Sequence, residues 1–366
     1  MKARHTLAAA ALACLTAAPA FAYNVGSCLG VPVKWGSNNA LFRASSVSFP
    51  DGYWRNGLQR TIDFFNQNPT PFWFSLATDT NGLGLGNGEN ETWGSTDANI
   101  LQGAPAIAYW WDTCYWLFGV VSHRNESDVI FDYNSPFQWT ADELKSSLIM
   151  YTGTRRQLQG TGVHEFGHAS GLLHENREYN VMGADFEHIA VNGSTARGYL
   201  GEDASDGLVY LYGLWSANYQ DVAASHWKYS FANGEYSRHA KTQVFNSAGA
   251  VLPTVSVNGE TGYRVNKGQV VQVEFTYENN GKDSQTVNTG WYVSTNDIIS
   301  TGDRLLSNGN MTLARGNVMT YRRTVTIPAD LVSGRNYWLG TVVDRTNLVV
   351  DNVPSNDMTY VPIRVN

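Results

Sequence analysis

The chain has 366 residues, which suggests about two domains, and a formal net charge of −7. An acidic chain has no electrostatic footprint for nucleic acid, so that class of partner is excluded. No segment beyond the N-terminal region reaches 18 consecutive apolar residues, so we predict no membrane span.

Residues 1–22 have the three parts of a secretory signal peptide. Lys2 and Arg4 lie in a basic start, an apolar run follows, and Ala20-Phe21-Ala22 is a small-residue cleavage site. Removing this leader takes away those two cations and no acids, so the net charge goes from −7 to −9. We expect a secreted or periplasmic protein. A lipoprotein with lipidated Cys14 is a weaker alternative, because the apolar stretch before that cysteine is short.

Two cysteines remain after the leader, Cys28 and Cys114. Cysteines of exported proteins usually pair, so we predict a disulfide between them. Farther along, apolar residues at helical spacing predict a helix over 54–66, and Phe72-Trp-Phe-Ser-Leu76 predicts a strand. Residues 79–92 are rich in glycine, asparagine and acid. Either this loop binds Ca²⁺ through carboxylate and carbonyl oxygens, or it is a flexible surface loop.

A metal-binding motif lies between His164 and Met182. It has the form HExxHxxGxxH, and the methionine follows eight residues after the last histidine. On a helix, His164 and His168 lie on one face, about one turn apart. Gly171 can adopt a positive φ, so the helix can end there and the chain can bring His174 round as a third ligand. Three nitrogen ligands and an open fourth position are typical of a catalytic zinc.

Glu165 follows the first ligand and can lean over the open coordination position. Zinc lowers the pKa of its bound water to about 7. Glu165 would take the proton of that water and pass it to the leaving amine. The predicted site therefore has Glu165 as the catalytic residue and His164, His168 and His174 as the metal ligands. A purely structural role for these positions is the alternative.

This motif resembles the signature of the metzincin zinc endopeptidases. The short gap from His174 to Met182 is most similar to the matrixin group. Residues 127–132 resemble the family's last strand before the zinc helix, and residues 200–213 resemble its closing helix. The resemblance covers about residues 31–215. It implies an α+β catalytic domain, with a twisted mixed sheet and a zinc-binding helix.

The chain departs from the matrixin pattern after the third histidine. Glu175 at that position looks more like astacins, and no tyrosine follows Met182 closely, so a tyrosine ligand is not predicted. Cys28-Leu-Gly-Val-Pro32 is similar to the matrixin cysteine switch, which is an alternative to the disulfide. The aromatic strand of residues 106–121 corresponds to the metzincin edge that pairs with substrate. Alternatively, most of its aromatic side chains fill the core.

The sequence pattern changes in the C-terminal part. Val271, Val273, Phe275 and Tyr277 alternate with polar residues, and short strands with turns recur to the C-terminus, which favours an all-β sandwich. This part resembles the CARDB-type immunoglobulin-like domains of bacterial exported proteins. The matching segments are Gly290 to Asp297, Gly334 to Leu339, and Val343-Asp344 with Asp351-Asn352 and Asn356.

We therefore predict four segments: a signal peptide (1–22), a matrixin-like domain (23–215), a linker or adaptor (216–252) and an immunoglobulin-like sandwich (253–366). The expected function is an exported zinc-dependent endopeptidase with protein or peptide substrates. The alternative is an exported binding or adhesive protein that acts through the sandwich and has a vestigial zinc site. Because the whole motif precedes residue 183, residues 23–215 are expected to act on short peptides without the tail.

Overall fold

The structure is a computed structural model that describes residues 23–79, 83–134, 138–146 and 154–366. The predicted leader, residues 1–22, lies outside the described residues. The described chain is mostly β, with few helices and several sheets. None of the helices in these ranges combines the length and apolar character needed to cross a membrane.

The N-terminal part alternates short strands and helices. Its elements are, in chain order, β1 (Ser27–Cys28), β2 (Val31–Pro32), β3 (Asn39–Ser45), α1 (Tyr53–Phe65), β4 (Trp73–Asp79), β5 (Glu91–Ser95), α2 (Ala98–Leu101), β6 (Ala106–Trp116), β7 (Val120–Asp132), β8 (Gln138–Thr140), β9 (Arg155–Gln157), α3 (Leu158–Ser170), a 3-10 turn (Asp185–Glu187), β10 (Ile189–Asn192), β11 (Thr195–Gly198) and α4 (Glu202–Tyr212).

A five-stranded mixed sheet forms the base of this part. Its strand order is β4-β3-β5-β7-β6, in which β6 is antiparallel to β7 and the other neighbours are parallel. Strand β6 lies at the edge of this sheet. The sequence correctly predicted strands at 72–76 and 127–132, and the observed sheet is the mixed sheet that we expected.

The helices pack on the sheet through apolar side chains at helical spacing. On α1, the residues Leu58, Ile62 and Phe65 are buried, as the spacing predicted. They share one core with Phe42 of β3 and Phe166 of α3. Helix α3 is buried along its whole length, so burial on all sides fixes its position. The helix that carries the histidines is therefore the central element of this part.

The C-terminal part is built of strands. They are β12 (Val222–Ser225), β13 (Trp227–Asn233), β14 (Tyr236–Lys241), β15 (Val244–Asn246), β16 (Thr254–Val257), β17 (Glu260–Val265), β18 (Val270–Asn279), β19 (Gln285–Ser294), β20 (Arg304–Leu313), β21 (Val318–Thr326), β22 (Asn336–Val342) and β23 (Met358–Val365).

Two sheets face each other across one apolar core. In the first sheet, β18 pairs with β12 and β15 along one side and with β21 along the other. The second sheet has the order β16-β17-β23-β22-β19-β20. The core between them includes Phe275, Trp291, Leu313, Val325 and Ile363. The predicted β-sandwich architecture is therefore present, although β18 is buried on both faces over most of its length and not only on one.

The segment 216–252, the predicted linker or adaptor, contains four strands. Strands β12 and β15 belong to the first sandwich sheet, and between them β13 and β14 form a hairpin. These strands are short and do not show the long alternation that made the later strands visible in the sequence. The limits of the domains stay a prediction, but a boundary at residue 253 would divide this sheet.

Cys28 and Cys114 form a disulfide, as predicted, which ties β1 to β6. The bridge closes a loop over a sequence separation of 86 residues. Because Cys28 is bonded to Cys114, it offers no thiolate for the alternative role as a switch.

Replacing both cysteines by serine should lower the free energy of unfolding by about 2–4 kcal/mol, because the unfolded chain gains the freedom that the bridge removes. Denaturant titration of the native and the double-serine proteins measures this difference. Equal midpoints and slopes would show that the bridge does not constrain the unfolded chain.

A group of carboxyl groups is buried at one end of the sandwich. Asp221 accepts hydrogen bonds from Asn280 Nδ2 at 3.1 Å and from Asn356 Nδ2 at 3.0 Å. Burial, followed by the nearby carboxylates of Asp351, Asp221 and Asp344, raises the pKa of Asp357 to about 9. The folded protein therefore holds a proton on Asp357 that the unfolded chain has released at neutral pH.

Stability should fall as the pH rises from about 4 to 9, because over this range the unfolded chain ionises Asp357 and the folded chain does not. Asp357→Asn removes this loss, so its stabilising effect should be larger at pH 8 than at pH 5. Thermal melts at the two pH values test this. The pKa of exposed Asp330 is lowered by its hydrogen bond to Arg304, so the control Asp330→Asn should shift both melts equally. An effect of Asp357→Asn that is equal at both pH values would contradict the assignment.

Candidate metal centre

Helix α3 carries the first two predicted ligands and ends where the sequence predicted. Gly171 has φ 116°, and its N–H bonds His168 O. A side chain there would be strained by that φ and would also meet Val33 O at 2.8 Å. The chain therefore turns sharply after the helix and brings His174 back to the other two histidines.

The last carbonyl groups of α3 are bound by side chains from other elements. Arg124 of β7 donates to His168 O and, at 3.0 Å, to Ala169 O. Trp35 Nε1 donates to Ala169 O at 2.8 Å, and Tyr212 Oη donates to Ser170 O at 2.6 Å. These bonds satisfy the acceptors that every helix C-terminus leaves open. They also fix the end of the helix on which the two histidines sit.

The three predicted ligands converge. One ring nitrogen from each of His164, His168 and His174 lies within 4.8 Å of the other two. His168 Nε2 and His174 Nε2 are 2.9 Å apart. Among the described residues, these three form the single group of at least three His, Cys, Asp or Glu side chains with this geometry. A histidine triad of this kind could hold a metal ion.

The Nδ1 atoms of the same rings point away from the centre. His164 Nδ1 is 2.6 Å from Val181 O, and His168 Nδ1 is 2.9 Å from Leu172 O. These contacts leave Nε2 of both rings directed to the common point. Two of the three imidazoles thus have the orientation that a shared ion requires.

Burial lowers the pKa of all three histidines. For His174 it lowers the pKa to about 4, with a further decrease from His164 and an opposing effect of Glu235. For His168 the pKa is lowered well below its usual value, first by burial and then by the other two histidines. The rings are therefore neutral at physiological pH, and the neutral imidazole is the form that binds metals. This donor set fits zinc.

Glu165 is buried beside the triad. Burial, followed by the nearby Asp185 carboxylate, raises its pKa to about 8, although Arg156 and a backbone hydrogen bond from Ala108 oppose the shift. A carboxyl group with a pKa near neutrality can both hold and release a proton in that range. The predicted catalytic residue therefore has the surroundings of an acid/base group.

Met182 packs against α3 beneath the histidines. A Cβ atom on Gly167 would lie 2.4 Å from Met182 Sδ, so the turn and the helix are in close contact. Asp185 follows this turn and accepts from Arg156 Nη1 at 2.6 Å and from Thr161 Oγ1 at 2.5 Å. The sequence did not single out Asp185 or Arg156, because neither belongs to the motif.

A cleft of about 660 Å³ opens in front of the triad. One wall is the start of β6 with Trp110, and the other is the β13–β14 hairpin with Tyr236 and Arg238. This second wall was not predicted from the sequence. Its two-residue loop is Gly234-Glu235, and glycine at the first loop position, here with φ 66°, is a hairpin signal that could have revealed it.

The aromatic side chains of β6 are largely outside the core. Trp110, Tyr115 and Trp116 are all exposed, Trp116 by 71%. The interpretation that most of these residues fill the core is therefore wrong. Strand β6 lies at the sheet edge, and its residues up to Trp110 contribute to the lining of the cleft.

The loop that was considered for calcium is held by protein contacts. Glu91 Oε2 accepts from Gly84 N and Asn87 Nδ2, each at 2.9 Å, and Glu126 accepts from Asn87 N and Gly88 N. Residues 80–82 lie outside the described residues. Calcium binding by this loop stays a prediction.

No family model and no curated protein matches this chain. Similar solved structures include a CARDB domain from Pyrococcus furiosus in complex with di-metal ions, with 12% identity, a TM-score of 0.26, and coverage of 41% of this chain and 97% of that one. A β-glucosidase from Listeria innocua in complex with glucose has 15% identity and a TM-score of 0.21, with coverage of 36% and 17%. AsqI with zinc has 8% identity and a TM-score of 0.25, with coverage of 41% and 40%. TM-scores this low do not establish a shared fold.

His168→Ala should weaken zinc binding by more than the roughly 10–100-fold that is typical of a change outside the ligand sphere, because it removes a donor atom. The control is His123→Ala, on β7 and outside the triad, which should bind zinc like the native protein. Zinc content after dialysis against a chelator measures both. Equal zinc retention by the two variants would contradict the triad as the metal site.

Proposed function

We propose that this protein is a zinc-dependent endopeptidase with a matrixin-like metzincin catalytic domain. The observation that carries the proposal is the convergence of His164, His168 and His174, with Glu165 beside them, at the floor of one open cleft. The residues were predicted from the motif alone, and their geometry supports a shared zinc. We further propose an exported protein whose tail is a CARDB-type immunoglobulin-like domain.

The chain's own residues divide the work of peptide hydrolysis. A zinc ion bound by the three histidines would supply an activated water and polarise the scissile carbonyl group. Glu165 would accept a proton and deliver it to the leaving amine, a role that its raised pKa of about 8 supports. Arg156 neutralises Asp185 next to it, so the site does not hold two unpaired carboxylates.

The cleft supports an extended peptide as the substrate. Strand β6 lies at the edge of the sheet and contributes to the cleft, so main-chain groups on its outer edge, apart from the Ala108 N–H that bonds Glu165, would pair with a substrate strand. Trp110 and Tyr236 offer aromatic surfaces on the two sides. We therefore propose protein or peptide segments in extended conformation as the substrate class.

A binding or adhesive protein with a vestigial zinc site remains the second candidate from sequence. Its characteristic feature would be a lost acid/base group. Glu165 is instead retained and buried next to the histidines, with a pKa raised towards neutrality. This observation favours the enzyme.

Glu165→Gln should keep zinc and lower peptide cleavage by about 10²–10⁴-fold, because it removes the proton-transfer group and leaves the ligands intact. Zinc content and cleavage of an unstructured peptide are measured on the same sample. Glu91→Gln is a control at another buried glutamate, which is not among the residues that line the cleft, and it should retain cleavage. Native turnover by zinc-loaded Glu165→Gln would contradict the proposed role.

A further inference from the structure

The Nδ1 atom of the third histidine, His174, has a different kind of partner from the Nδ1 atoms of the other two. His164 and His168 contact backbone carbonyl groups of their own part of the chain through Nδ1. His174 Nδ1 instead lies 3.3 Å from Glu235 Oε1, at the tip of the β13–β14 hairpin. The hairpin lies beyond residue 215, outside the segment that was predicted to be the catalytic domain.

The hairpin is held tightly over His174. The ring of Tyr236 lies against the imidazole of His174, with centroids 4.2 Å apart. Two hydrogen bonds join the hairpin to the residues after His174. Ser237 N donates to Glu175 O at 3.1 Å, and Asn176 Nδ2 donates to Gly234 O at 2.5 Å. The segment that follows the third histidine is therefore bonded to the hairpin on both sides of Glu235.

The hairpin has little space for an alternative position, because it lies close to the turn at Met182. A Cβ atom on Gly183, next to Met182, would lie 1.7 Å from Ser237 Oγ, so the hairpin approaches the turn below the triad as closely as a glycine allows. Ser237 is completely buried. The hairpin that forms one wall of the cleft therefore also packs against the turn below the triad.

The base of the same hairpin is anchored in the C-terminal part. Lys228 of β13 forms an ion pair with Glu274 of β18. Trp227 belongs to the apolar cluster that also contains Trp338 and Tyr360 of the second sandwich sheet. The position of Glu235 is therefore set by the sandwich, while its carboxylate acts on a residue of the triad.

We propose that Glu235 is a positioning residue of the metal centre, and that the C-terminal part, through the β13–β14 hairpin, completes this centre. The carboxylate of Glu235 accepts the Nδ1–H of His174. This selects the tautomer in which Nε2 carries a lone pair toward the other two histidines. This inference rests on the proposed function only in taking zinc as the metal.

The test uses zinc itself as the probe and the full chain as the protein. Glu235→Ala removes the acceptor and should weaken zinc affinity by about 10–100-fold, as is typical when the outer partner of a ligating histidine is lost. Glu235→Gln keeps an oxygen acceptor and should recover most of the affinity. Because Glu235 is exposed, its side chain 68% accessible, neither change should alter the unfolding midpoint of the metal-free protein. Glu89→Ala, at a partly exposed glutamate that pairs with Arg43 and is not among the residues that line the cleft, is the control.

Competition with a chromophoric chelator gives the zinc affinities, and denaturant titration gives the metal-free stabilities. Native zinc affinity in Glu235→Ala would overturn the proposal. Weakened affinity that comes with an equally reduced metal-free stability would also overturn it, because the role would then be structural. If the native protein binds zinc but cleaves no peptide, the proposed function fails while the assignment of Glu235 stands or falls on its own measurement.

Discussion

The site depends on three imidazoles that present Nε2 to one point, and an acceptor for the Nδ1–H of a ring selects that tautomer and fixes the orientation of the ring. The three histidines receive their acceptors from three different places: the turn at Val181, the residue after the helix end at Leu172, and Glu235 of the hairpin. Each acceptor in turn requires a particular piece of the fold. The helix must stop at Gly171, and the Met182 turn must lie under α3.

Contacts outside the metal centre also connect the two parts of the chain. Besides the hairpin, Glu278 of the sandwich accepts from Tyr199 Oη at 2.6 Å and from Glu202 N at 3.0 Å, and Lys145 pairs with Glu260 at 2.9 Å. Separating the parts would leave buried charged groups without these partners, which is costly. The expectation that residues 23–215 act on short peptides without the tail stays a prediction, and our proposal of a jointly built centre predicts the opposite.

The sequence predicted those features that depend on local spacing. The helix 54–66 and the end of α3 at Gly171 were predicted correctly, because helical periodicity and a glycine after a helix act over a few residues. The disulfide was predicted correctly from the count of two cysteines after the predicted leader, although 86 positions separate them. The Glu235 contact could not be predicted, since 61 positions separate it from His174 and only the packing of the sandwich brings them together. The short strands β12 and β15 were missed because they take their stability from β18 rather than from their own pattern.

Digestion of a peptide library by the full-length protein, before and after removal of metal, tests the central claim most directly. The account predicts that cleavage disappears in the folded, metal-free protein and returns when one equivalent of zinc is added. Cleavage that persists in the folded, metal-free protein would contradict the account. So would a folded, zinc-loaded protein that cleaves no member of the library.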